Sequence, residues 1–201
     1  MKTYFRTMLV AAVCIGLMAV TSCKTDNAKP ADNAVEQATD SIESTYLTAI
    51  DDYLVNEIGK DYSPADYSIP CVTVVAVDES NPDSILAWGD YWVFNYKLSG
   101  DTLLTESGGS HPGLMHIAKT AEGYKVTAFD VVADGTDNLE SAKKIFGDKY
   151  DDFHAINSNE KKREETRING IAEYVKAHGL SAKMVKDFGW DPINLPIDNN
   201  K

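Results

Sequence analysis

Cysteine is scarce in this chain of 201 residues: three copies, at positions 14, 23 and 71. Their spacing forms no Cys-x-x-Cys pair. Positive charge is short as well, with 19 Lys and Arg against 31 Asp and Glu and a net charge of −12. A phosphate backbone would be repelled, which excludes nucleic acid as a partner. The same excess argues against a broad electrostatic contact with anionic lipid. Also missing are a P-loop, a dinucleotide glycine fingerprint and a His-Glu-x-x-His helix, so no cofactor and no metal is implied. Gly108-Gly109-Ser110-His111-Pro112 has a superficial likeness to a nucleophile elbow. It lacks the final glycine and leads into a predicted strand rather than a helix, which rejects that reading.

The first residues read as a processing signal. Lys2 and Arg6 form a positive region, Met8 to Val20 an apolar one, and small residues follow at Thr21 and Ser22. The apolar stretch is too short for a membrane span and suits a secretory signal. Val20-Thr21-Ser22-Cys23 resembles the lipobox of bacterial lipoproteins. That resemblance implies cleavage before Cys23, a diacylglycerol on its thiol, and a membrane as partner in the cell envelope. The signal would then be residues 1–22, and Cys14 would leave with it. Cys71 would be the remaining free thiol, with no internal disulfide possible, and its place at the start of an apolar run suits a small buried hydrophobe. Loss of Lys2 and Arg6 lowers the basic count from 19 to 17 against 31 acids, a net charge of −14. Residues 23–39 are polar and poor in large apolar groups, the composition of a flexible tether. Residues 40–201 suit one domain with one core.

Within that domain Asp40 and Glu43 make a capping box for a helix whose apolar stripe is Ile42, Tyr46, Ile50, Leu54 and Ile58, stopped by Gly59. Strands are predicted over Cys71–Val77, Ile85–Leu98, Thr102–Glu106, Leu114–Lys119 and Tyr124–Val132, with Ser107–Gly113 as a loop. Connections this short join antiparallel neighbours. Helices follow over Leu139–Phe146, around Tyr150 and Phe153, and from Ser158 or Asn159 to Gly179, the last burying Ile168, Ile171, Ala172 and Val175. The opening of that last helix, Glu160–Arg167, reads as a solvated face. The tail from Phe188 to Pro196 reads as irregular, with apolar groups packing back on the domain. The fold class is therefore α+β: an N-terminal helix on a curved antiparallel sheet of about five strands, then C-terminal helices. In element order alone this resembles the cystatin-like roll.

The strand Ile85–Leu98 organises the rest. It would run about 45 Å at roughly 3.3 Å per residue, so a bulge is predicted, at Gly89. One parity is Leu86, Trp88, Asp90, Trp92, Phe94, Tyr96 and Leu98, apolar but for Asp90. In Tyr124–Val132, Asp130 likewise falls in the apolar register. Two desolvated carboxylates among Trp88, Trp92 and Tyr124 would raise each other's pKa, the environment of an acid/base pair. His116 on the strand between, and His111 in the glycine-rich segment, are the side chains that would complete a catalytic or metal site. Trp88, Trp92 and Tyr96 would equally line a non-catalytic cleft, and an aromatic face can simply be core against the first helix. Two functions stay open: an accessory module binding a small molecule, peptide or envelope protein, and a hydrolase or lyase using Asp90 and Asp130 with His116.

Overall fold

The computed structural model describes residues 46–197. The signal, the lipobox, the tether and the capping box at Asp40 lie outside them. Residues 46–53 are α-helical (α1), and the helix ends in a wider turn over Leu54–Ile58 and a tight one over Gly59–Asp61. Gly59 stays in the right-handed region (φ −60°), so it ends the helix through space rather than through a left-handed cap. A Cβ there would sit 2.9 Å from Ser68 Oγ.

The sheet comprises β1 (Tyr67–Asp78), β2 (Ser84–Ser99), β3 (Thr102–Thr120), β4 (Gly123–Val131), β5 (Met184–Lys186) and β6 (Ile193–Asn194). Their order is β1-β2-β3-β5-β6, with β4 also on β3. β1 to β4 form the expected antiparallel meander. β5 adds to β3 in parallel, Thr102–Leu104 beside Met184–Lys186, so the sheet is mixed. The segment read as a loop, Ser107–Gly113, is instead continuous strand: β3 runs for 19 residues and makes one strand of two predicted ones. Its glycines allow this. A Cβ on Gly113 would meet the Asp130 carbonyl oxygen at 2.2 Å, and Gly108 holds φ +136° against Val93 and Phe94.

Three bulges curl the sheet. Val75 is the extra residue on β1, Glu106 on β3 and Thr127 on β4. The bulge expected in β2 at Gly89 sits across from it, on β1. The Thr127 bulge has the larger consequence, because one extra residue exchanges the two faces of a strand. Val126 joins the core while Asp130 turns outward, so the uniform apolar register read for β4 does not exist.

Both faces of the sheet are covered. Ile85, Ala87, Tyr91 and Val93 pack with Ile50 and Leu54 beneath α1. The aromatic parity of β2 faces the other way, under α2 (Asn138–Phe146), α3 (Tyr150–Asn157) and α4 (Glu160–Ala177). Tyr96 packs there with Ile69, Ile168, Ile171 and Val175, and Trp88 with Val132, Phe146 and Phe153. The expectation that the aromatic face meets the first helix is therefore corrected. A sheet buried on both sides needs two apolar faces, and the C-terminal helices supply the second cover.

The Glu160–Arg167 stretch is not merely solvated: Arg167 is buried, and Arg163 reaches Asp90. In the tail, Leu195 is buried as expected, whereas Phe188 and Trp190 stand out in solvent.

Candidate functional site

The aromatic strand positions Asp90 under α4, 1% exposed. Its Oδ1 accepts from Ser110 Oγ at 2.5 Å and its Oδ2 from Arg163 Nε at 3.1 Å. The Arg163 guanidinium also donates to Ser110 Oγ and lies 4.6 Å from the Trp92 ring. Both oxygens of Asp90 are thus engaged, Oδ1 by the Ser110 hydroxyl and Oδ2 by the ion pair with Arg163. Asp130 lies in a different cluster, on the open end of the sheet, where its Oδ2 is 2.9 Å from His116 Nε2. That pair is substantially exposed. The expected carboxylate dyad is replaced by two separate pairings, each with a cationic or imidazole partner.

The other expected residues are similarly occupied. Trp88 Nε1 donates to the Ile145 carbonyl at 3.0 Å, with Lys149 Nζ over its ring. The Tyr96 hydroxyl, fully buried, accepts from Arg167. His111 Nε2 lies 2.9 Å from the Tyr62 hydroxyl, and desolvation holds its pKa below the ordinary imidazole value. Trp92 and Phe94 touch edge to face inside the α4 core. Among the described residues no group of three or more His, Cys, Asp and Glu is placed to hold a metal ion.

The concave space lies elsewhere. A groove of about 670 Å³ runs along the outer edge of β1, lined by Pro70, Cys71, Val72 and Val74. Leu47 and Asp51 of α1 form one wall, and α4 forms the other with Asn169, Gly170, Glu173 and Tyr174. Gly170 brings α4 close, since a Cβ there would be 2.9 Å from Cys71 Sγ. None of the residues singled out from the central strand lines this groove.

Among the described residues β1 pairs with β2 alone, so one side of its backbone is an open edge. Pro70 has no N–H to give and is tolerated where its nitrogen faces away from β2. Backbone polar groups alternate along a strand, so Val72 presents its N–H and C=O on the same outer side. Thr73, the residue after Val72 and so in the opposite phase, turns its carbonyl toward β2, 2.9 Å from the place of a Cβ on Gly89. The signal for this in the sequence was Ser68-Ile69-Pro70, a proline inside an apolar run, which marks an edge strand.

Charge in the groove is acidic. Asp51 is half-buried, and desolvation, with Asp52 beside it, raises its carboxyl to about 6. Glu173 of α4 and His178 just past its end line the same groove. His178 stacks on Tyr174 at 3.9 Å and its Nδ1 lies 2.9 Å from the Tyr174 carbonyl oxygen. The Cys71 thiol is pushed up to about 12 by burial, so it is no thiolate nucleophile at neutral pH. The arrangement offers main-chain hydrogen bonding, apolar contact and a cation-attracting wall.

No protein-family model, no curated protein and no solved structure matches the chain. Among the described residues no helix is long and apolar enough to cross a membrane.

Proposed function

We propose that this chain is a lipid-anchored cell-envelope module that binds an extended segment of a partner protein along the free edge of β1. The observation that carries it is the 670 Å³ groove between α1 and α4, floored by a strand edge that no described residue pairs with. A peptide adding as a further strand would gain main-chain hydrogen bonds from β1 and place alternate side chains against the helix walls. A lysine or arginine in it would approach Asp51 and Glu173. Anchoring through Cys23 draws its support from the lipobox-like Val20–Cys23. The hydrolase or lyase reading required Asp90 and Asp130 to act together. With Asp90 held by Ser110 and Arg163 and Asp130 by His116, it has lost that support.

The test is selection of random twelve-residue peptides on the full chain and on Val72→Pro. The substitution removes an outward N–H without touching the β1–β2 ladder. Each main-chain hydrogen bond is worth about 1 kcal/mol, and the proline ring adds a steric block. Enriched peptides should bind Val72→Pro at least about tenfold more weakly. Peptides that bind both forms equally would refute edge addition.

A further inference from the structure

A second surface lies at the opposite edge of the sheet, on the turn between β5 and β6. Phe188 is 97% exposed and Trp190 74%, an unusual state for two large aromatic side chains side by side. The turn that carries them is closed by a hydrogen bond. Trp190 N–H donates to the Asp187 carbonyl at 3.1 Å, and Gly189 supplies the φ of +80° this closure needs. Beneath it, the Asp187 carboxylate accepts from Thr105 Oγ1 and from Arg167, itself buried and also bonded to Glu164 and Tyr96. The backbone that presents the aromatics is therefore tied to the domain through a network centred on the buried Arg167, which lowers the ordering cost of binding.

Beside Trp190 lies a cavity of about 440 Å³ bordered by Glu164, Asp187, Asp191 and Ile193. Three carboxylates meet there, and Arg167 is the guanidinium bonded to two of them, so the rim remains negative.

We propose that Phe188, Trp190 and Ile193 dock a basic surface of a partner protein, with a lysine or arginine of that partner seated between the Trp190 indole and the acidic rim. Charge complementarity selects this occupant. An indole face beside carboxylates suits a cation. A second copy of this chain would bring like charge to like charge on the same face. An anionic bilayer would be repelled by a rim of carboxylates.

The test runs the peptide selection on the full chain beside the double variant Phe188→Ala/Trp190→Ala, whose side chains are exposed and whose loss leaves the core intact. The expected result is a pool rich in lysine or arginine that binds the double variant at least tenfold more weakly. It should also weaken as salt is raised and remain unaffected by Val72→Pro, which separates this surface from the β1 groove. No enrichment over the double variant overturns the proposal, as does a pool without basic residues. Binding of the wild type, and not the double variant, to phosphatidylcholine vesicles overturns it in favour of lipid. A dimer in sedimentation that the double variant dissolves overturns it in favour of self-association.

Discussion

Asp51 should destabilise the fold it belongs to, and Asp51→Asn should relieve the cost at neutral pH. Burial raises its carboxyl from 3.8 to about 6, so the folded chain holds this proton more tightly than the unfolded chain. The folded-state pKa lies above the unfolded one, so the stabilising effect of protonation is complete below about pH 4 and is lost as pH rises through 6. The full shift corresponds to about 3 kcal/mol at 1.4 kcal/mol per unit. Asp51 is only half-buried, so solvent screening reduces this to roughly 1–2 kcal/mol. Urea unfolding at pH 3.5 and pH 7.5 reads the effect. Asp51→Asn should match the wild type in acid and exceed it by about that amount at pH 7.5. An equal difference at both pH values, or a less stable variant at pH 7.5, would refute the reasoning. A carboxylate kept in a groove wall at a cost in stability is the pattern expected of a binding site. A basic peptide in the groove would lower the Asp51 pKa, so its affinity should rise between pH 5 and 7.

Three further outcomes follow from the packing. Arg163→Met should lower stability by about 3 kcal/mol, near the low end for breaking a buried pair, because Arg163 is 21% exposed while Asp90 is 1%; urea midpoints check it. Gly113→Ala should cost at least about 3 kcal/mol, since its Cβ would meet the Asp130 carbonyl oxygen at 2.2 Å and force β3 from β4; thermal unfolding checks it. Cys71 should react with a thiol reagent no faster than the chain unfolds, since it is buried with its thiol raised to about 12; labelling rates in rising urea check it.

The fold class was legible from local patterns, the candidate site was not. Helix α4 followed from Ile168, Ile171, Ala172 and Val175 at helical spacing between Asn159 and Gly179; the Asn159 side chain does cap it, accepting from Lys162 N–H. The antiparallel meander followed from short turns such as Ala121–Gly123. Three errors share another cause: each depends on what the chain meets far along the sequence. Ser107–Gly113 looks like a loop because glycine is a poor strand former, yet these glycines make room for Phe94 and Asp130 across the ladder. The Thr127 bulge exchanged the faces of β4, and no periodicity within nine residues reveals one extra residue. Asp90 in an aromatic register resembled a functional carboxylate, and its partner Arg163 lies 73 residues away in what reads as a solvated charge run. The groove itself required knowing that α1 and α4 lie on opposite faces of the sheet, flanking one edge.

Amide exchange at the β1 edge decides whether a partner adds there as a strand. In the free chain, the Val72 amide should exchange quickly and that of Thr73 slowly, because one faces solvent and the other β2. With a selected peptide bound, Val72 should become protected while Thr73 is unchanged. If Val72 is already as protected as Thr73 in the free chain, or stays fast with peptide bound, β1 does not bind its partner by strand addition.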